Sequence, residues 1–396
     1  MEPLLFLVHR IPYPPNKGDK IRSYNLLKFL AANYEVHLAT FIDDPFDWKY
    51  VDAVNELCKS TLIRPQNKKL STLKSLSGFI TGKALSLTYY SDSKIEKWCQ
   101  DIINTEHISK VVVFSSPMAQ FSECLPDNID QIIDFVDVDS DKWRQYSQSK
   151  SWPMNQVYRR EANKLREYEC HIAKLFKKSF FVSSSESDLS KSFCPEAANK
   201  ISFFDNGVDY EYFSCDENSK NPYETANAIV FTGAMDYWAN ADAVIWFAEK
   251  VFPLIRKEIS DAVFYIVGSN PANKVKALSN NSGVIVTGRV DDIRRYVQYA
   301  SVCVAPMRIA RGVQNKVIEA LSLARPVVAT GQAMEGLKPF DSPDIVQVAD
   351  SENEFSGKCI EILKRGHWVV NDEARAYVIK NYSWMANLKV IGDELQ

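Results

Sequence analysis

The strongest constraint on this chain is an alternation that occurs in two series. Short apolar runs at 4–8, 36–41, 111–114, 132–135 and 180–182 are separated by longer amphipathic segments, among them 20–32, 93–104 and 158–176. A run that is apolar on every residue suits a strand covered on both faces, and strands alternating with helical patterns give a parallel sheet with helices on both sides. The pattern pauses at 205–225, a polar stretch rich in turn residues that reads as a linker. It then resumes with runs at 228–231, 263–267, 284–287, 302–305, 327–329 and 345–348. The fold class is therefore α/β, with two Rossmann-like halves. Ligands of such sheets bind at the carboxyl ends of the strands, and two halves are expected to enclose a central cleft. The expected boundaries are 1–207 and 208–382, with a last helix near 383–396 packing back on the first half.

The 396 residues suit two domains, and 46% hydrophobic residues argue against long disorder. A formal net charge of −3 carries no nucleic-acid signature. The eight cysteines have no close spacing, which fits no zinc knuckle and suits a reducing cytoplasm. The first residues, MEPLLFLVHRIP, do not read as a signal peptide, and no run approaches the ~20 apolar residues of a membrane span. The expectation is a cytoplasmic protein, soluble or peripheral at the inner membrane face.

After the first strand comes HRIPYPPNKGDKIRS. Gly18 permits a tight turn and Asp19 is placed to cap a helix starting at Lys20. Lys17, Lys20 and Arg22 at that start could meet an anionic ligand, or be solvated lysines on a capped helix. We assign Lys17 and Arg22 to an acceptor side. Segment 64–90 has five basic residues, no acidic one, and interleaved leucines. Leu73, Leu76 and Ile80 share a helical face. This segment could lie on an anionic membrane, or pack its apolar stripe on its own domain. Asp134, Asp137, Asp139 and Asp141 follow an apolar run. Their spacing does not fit a calcium loop, and a single functional acid at Asp137 or Asp139 is preferred to a metal site. His9 is the one histidine at a strand end. No GxSxG elbow supports a serine hydrolase.

In the second series Gly233, Gly268 and Gly288 each follow a strand, without a GxGxxG fingerprint. The stretch 311–330, RGVQNKVIEALSLARPVVAT, reads as a glycine turn, a helix over 313–324 and a strand over 326–329. Free N–H groups at such a helix start bind phosphates. At ~100° per residue, Val313, Val317, Leu321 and Ala324 face the sheet, whereas Glu319 points away from it. Glu319 then either forms a surface pair with Lys316 or faces a ligand.

With YPPNKGDKIRS, VSSSESD, NGVD and APMRIARGVQNKVIEALSLARPVVAT, essentially the whole chain resembles glycosyltransferase family 4, the retaining group 1 enzymes of GT-B architecture. The nearest resemblance is to the exopolysaccharide branch associated with exosortase (PEP-CTERM) systems. The resemblance implies transfer of a sugar from a nucleotide diphosphate sugar to an acceptor hydroxyl, with retention and without a metal or other cofactor. It implies a saccharide or lipid-linked saccharide acceptor. By position it places Glu319 on the ribose hydroxyls, the backbone of Gly312, Val313 and Gln314 on the diphosphate, and Lys316 or Arg308 as neutralising charges. Arg289 and Val290 would read the base, Gly233 would sit at the donor site, and Gly18 would close over the donor. Asp139 or Asp137 falls near the position of a catalytic-loop histidine in relatives. Arg311 stands where relatives carry the first glutamate of a pair, which contacts the transferred sugar. The basic pair that usually follows the first strand of the second half is also replaced, by GAMDYWANAD. Lys316, Arg308 and Arg311 are the remaining candidates for phosphate charge. Two other readings fit the same architecture: a nucleotide-sugar epimerase and a non-catalytic nucleotide-sugar-binding protein.

Overall fold

Continuous apolar runs become buried parallel strands. The computed structural model describes residues 1–15, 18–126, 128–310, 313–339, 342, 344–366 and 372–396. These form two compact units, residues 1–205 with 388–396, and residues 206–387.

The N-terminal unit holds seven parallel strands: β1 (Glu2–Val8), β2 (Tyr34–Ile42), β3 (Ser60–Pro65), β4 (Lys110–Phe114), β5 (Asp130–Val136), β6 (Lys178–Phe181) and β7 (Ile201–Phe203). Their order is β3-β2-β1-β4-β5-β6-β7. The central strands bury Leu4 to Val8, Val111 to Phe114 and Ile132 to Phe135. The edge strands β3 and β7 are absent from the sequence reading. Burial explains this: β3 is half-exposed along most of its length and β7 is three residues long, so neither shows a continuous apolar run.

The C-terminal unit holds six parallel strands: β8 (Ala228–Thr232), β9 (Val263–Val267), β10 (Val284–Gly288), β11 (Val302–Ala305), β12 (Val327–Ala329) and β13 (Val346–Val348). Their order is β10-β9-β8-β11-β12-β13. A cluster of Phe247, Phe252, Phe264 and Phe355 supports this sheet, with Phe247 and Phe264 ring centroids 4.5 Å apart. Burying each ring contributes ~1.5–3 kcal/mol.

The stretch read as a linker is bound to the C-terminal unit. Val208, Phe213 and Tyr223 enter its core. Gln298 exchanges hydrogen bonds with the Asp216 backbone at 2.9 Å, and the Phe213 carbonyl accepts from Ser322 Oγ at 2.8 Å and from Arg375 at 3.0 Å. Its polar composition reflects backbone held by side chains in place of a ladder.

The cysteine reading also changes. Cys170 and Cys194, 24 positions apart, form a disulfide. It ties the helix Met154–Leu175 to the end of the helix Ser184–Phe193. Among the described residues no helix is long and apolar enough to cross a membrane.

Candidate functional site

Two groups of polar side chains gather at strand carboxyl ends, one in each unit. In the C-terminal unit the helix Asn315–Ser322 begins later and ends earlier than the sequence pattern suggests. Gln314 is its N-cap and makes no side-chain capping bond, and among the described residues no acidic side chain lies in the first turn to meet its positive dipole end. Val317, Ile318 and Leu321 point into the core. Val313 packs on the same core, and Asn315 is exposed.

Of the two alternatives for Glu319, the surface pair with Lys316 is not formed. Lys316 Nζ lies 3.3 Å from Gln314 Oε1 and 5.1 Å from the ring centre of Phe231, near the carboxyl end of β8. Both side chains are only partly exposed. Burial lowers the Lys316 ammonium to about 8, with the Glu319 charge opposing the shift. Burial raises the Glu319 carboxyl to about 7, with Lys316 opposing it. Two ionisable groups poised near neutrality at a strand-end recess mark a functional candidate.

The glycine strand ends have a packing reason. A Cβ on Gly268 would lie 1.7 Å from the Gly233 carbonyl oxygen, and one on Gly233 would lie 2.7 Å from the Asn240 amide. Gly233 N–H donates to Val267 O at 3.1 Å and Gly268 N–H to Gly288 O at 3.2 Å. Gly268 thus lets the backbone close on the Gly233 carbonyl, and Gly233 makes room for the Asn240 side chain. Gly288 does face open space. Arg289 beyond it is exposed, whereas Val290 packs on the core. Arg308 is held by Asp242, with Nε to Oδ2 at 3.0 Å. The half-exposed guanidinium keeps one face to solvent. Arg311 and Gly312 lie outside the described residues, as do Lys17 and His367.

In the N-terminal unit the basic cluster after β1 is mostly interior. Lys20 is buried on Asp47 at 2.7 Å. Arg22 is 1% exposed and forms a two-point pair with Asp134, at 2.7 and 3.2 Å. It also donates to the Phe204 and Phe181 carbonyls at 3.0 and 3.3 Å, and its guanidinium lies 3.7 Å from the Phe204 ring centre. A side chain so enclosed does not reach an acceptor, which corrects its sequence assignment. Helical spacing turned it inward, toward a carboxylate 112 residues away. Asp19 is not a cap either, since the helix Gly18–Asn33 already includes it. Gly18 is exposed with open space around its Cα.

Asp19 belongs to a network the sequence reading did not assemble. Its Oδ2 accepts from Arg10 Nη1 at 2.6 Å and lies 3.5 Å from His9 Nε2. Arg10 Nε also reaches Asp43 at 3.0 Å. Burial would push the Asp19 carboxyl up, but His9 and Arg10 outweigh it and hold it well below the usual carboxylate range. The His9 ring stacks on Phe114 and meets the edge of Tyr90, with centroids 5.9 and 6.0 Å away. His9 Nδ1 is buried and has no hydrogen-bond partner among the described residues.

Asp137 and Asp139 flank the start of the helix Asp139–Ser149. Both pair with Lys142, at 2.7 and 3.3 Å. Burial raises the Asp139 carboxyl, and Lys142 works against the shift. Two glutamates hold this turn from behind. Glu169 accepts from Ser140 N at 3.2 Å and Ser140 Oγ at 2.5 Å, and Glu186 accepts from Val138 N at 2.7 Å. Burial lifts Glu169 to about 8, ahead of repulsion from Asp139. Val136 sits at φ 72° and Ser115 at φ 77°, beside the ends of β5 and β4. A β-branched residue in that region is strained, and such strain concentrates at working sites. Asp134 Oδ1 accepts the Val136 N–H at 3.1 Å, so the Arg22–Asp134 pair fixes the strained turn. Asp141 is held by Arg144 at 2.7 Å, which leaves the four aspartates each with a cationic partner.

Residues 226–365 match the family described as Glycosyl transferases group 1. The fold is that of GT-B glycosyltransferases. The chain is similar over its full length to HepE from Anabaena in complex with UDP and glucose, with 12% identity, a TM-score of 0.61 and 99% of that chain covered. A sucrose-phosphate synthase from Thermosynechococcus elongatus shares 15% identity at a TM-score of 0.65, over 99% of this chain and 98% of that one. A glycosyltransferase from Rickettsia africae shares 15% identity at a TM-score of 0.63, over 100% of this chain and 99% of that one. No curated protein sequence matches the chain. At these identities the structural likeness speaks for the fold.

Proposed function

We propose that the protein is a retaining, hexosyl-type glycosyltransferase of family 4. It moves a sugar from a nucleotide diphosphate sugar to a hydroxyl of a saccharide or lipid-linked saccharide. The carrying observation is the recessed Lys316–Glu319 arrangement at an uncapped helix start, inside the segment matched to group 1 glycosyl transferases. Ionised Glu319 accepts both ribose hydroxyls. Lys316 and the solvent face of Arg308 neutralise the diphosphate, with the N–H groups of the first turn. Arg289 and the Val290 backbone meet the base. Charge that develops on the leaving diphosphate is stabilised by these fixed donors and cations. In the N-terminal unit Asp139 or its neighbour Asp137, both held by Lys142, is the catalytic carboxylate. HepE binds UDP and glucose, which makes UDP-glucose the first donor to test.

The setting we propose is exopolysaccharide or cell-envelope glycan synthesis at the cytoplasmic membrane face. The segment read as one amphipathic helix is broken into the helices Lys68–Ser75 and Ser77–Thr81. Their apolar residues are not packed on the domain: Leu70, Leu73, Leu76 and Phe79 are exposed, and Ile80 is 90% exposed. Exposed apolar residues beside lysines suit an anionic bilayer. Loss of liposome binding in Leu73→Glu/Ile80→Glu supports this, and unchanged binding rejects it.

The test of the donor site is a thermal-shift panel of nucleotide diphosphates and their sugars. A ligand at ~100 times its dissociation constant adds ~2.7 kcal/mol of stability. Glu319→Ala should abolish the shift. The same shift in that variant, or none in the parent protein with any nucleotide, overturns the reading.

A further inference from the structure

The N-terminal unit contains a cavity of about 390 Å³ that the donor chemistry does not use. The rings of Tyr89, Tyr90, Trp143 and Tyr158 line it, together with Ser86 and Glu161. A larger cavity, about 510 Å³, lies at the amino ends of β4 and β5, away from the polar network.

The aromatic cavity is built from several separate elements. Glu161, buried in the helix Met154–Leu175, accepts from Leu85 N at 2.5 Å, Ser86 N at 2.8 Å and Ser86 Oγ at 2.6 Å. It does for the helix Leu85–Tyr90 what Ala84 cannot do as an N-cap. Thr88 Oγ1 donates to Ser75 O at 3.0 Å, and Gln120 Nε2 to Leu87 O at 3.1 Å. These contacts fix where Tyr89 and Tyr90 stand. Trp143 and Tyr158 have ring centroids 5.2 Å apart, and Tyr89 and Tyr90 5.0 Å.

Each of the four rings remains partly exposed in the cavity. Among the described residues no lysine or arginine lines it, so these offer no charge of the kind a phosphate would need. Ser86 Oγ and the buried Glu161 already satisfy each other, so the walls open to a ligand are the four ring faces and the hydroxyls of Tyr89 and Tyr90, which a hydrocarbon chain would cover without a partner. A ring with an apolar C–H face and a rim of hydroxyls satisfies both kinds of wall. The volume is within the range of small-molecule sites. Tyr90 also touches His9 edge-on at 6.0 Å, so the cavity leads toward the carboxyl-end network.

We propose that this cavity binds a neutral saccharide ring of the acceptor. The word acceptor rests on the transferase reading, whereas saccharide binding does not.

The full-length protein is tested by saturation-transfer NMR with maltose, cellobiose and chitobiose, and in parallel for its thermal shift with UDP. Saturation should reach the ring C–H protons of at least one disaccharide. Tyr158→Ala and Trp143→Ala should each weaken that binding about tenfold, the scale of one lost aromatic contact. Tyr158→Phe keeps the ring and should stay near the parent affinity, which guards against a variant that merely fails to fold. The UDP shift should be unchanged in all three. An intact UDP shift with no disaccharide binding overturns the saccharide site and leaves the transferase reading standing. Disaccharide binding that survives both alanine variants overturns the location. Displacement of the sugar by decanoate from the same protons makes the occupant a chain and also overturns it. Saccharide binding at this cavity without any nucleotide shift upholds the site and removes the transferase reading.

Discussion

Arg22 gives the sharpest test of how this chain holds its N-terminal site. Its guanidinium neutralises Asp134, which is fully buried, and ties down two backbone carbonyls. Arg22→Met keeps an apolar stem but leaves the carboxylate without its cation. An uncompensated buried charge costs about 3–5 kcal/mol. At roughly 2–4 °C per kcal/mol for a unit of this size, the N-terminal transition should fall by ~6–20 °C in calorimetry. Burial already pushes the Asp134 carboxyl up, and Arg22 opposes that push. Without Arg22 the folded state should hold the proton well above the usual carboxylate range, while the unfolded chain releases it. Stability of the variant should therefore fall as pH rises through that window and recover on acidification. Arg22→Met/Asp134→Asn removes the stranded charge but keeps an acceptor for the Val136 N–H, so it should regain most of the loss. A single variant that melts within about 2 °C of the parent would refute the reasoning, as would a double variant whose loss is the sum of the two singles.

Other outcomes follow from the same contacts. UDP affinity, followed by calorimetric titration, should rise as pH climbs through about 7, where Glu319 ionises, and decline above about 8, where Lys316 loses its proton; a flat profile would separate these groups from the donor. The same raised Glu319 should make the C-terminal unit lose stability as pH rises from 4.5 toward 7, because the unfolded glutamate releases its proton first. Gly268→Ala places a methyl 1.7 Å from the Gly233 oxygen, so its chemical-denaturation midpoint should show a cost beyond the ordinary ~0.5–3 kcal/mol of a point mutation. Reducing the Cys170–Cys194 bond, which closes a separation of 24 residues, should cost about 3 kcal/mol by the chain-entropy account. Melting with and without reductant reads this, and equal curves would show that the bond adds nothing.

The series of apolar runs was enough to find the five inner strands of the N-terminal sheet and all six of the C-terminal one, because a central strand buried on two faces must be apolar at every position. The edge strands β3 and β7 escaped because exposure removes that requirement. The glycine positions were legible too, though their reason was not: a sequence shows a missing Cβ but not the carbonyl that fills its place. Lys316 and Glu319 could be placed on a helix, and Glu319 turned away from the core, by periodicity alone. Only the tertiary structure showed them recessed, unpaired with each other, and shifted toward neutrality. The same holds for the N-terminal site. Arg22 and Asp134, His9 and Phe114, and Cys170 and Cys194 are distant along the chain. Periodicity is a local property and records which face a residue takes. Whether that face meets water, a carboxylate or an aromatic cavity depends on segments that only folding brings alongside it.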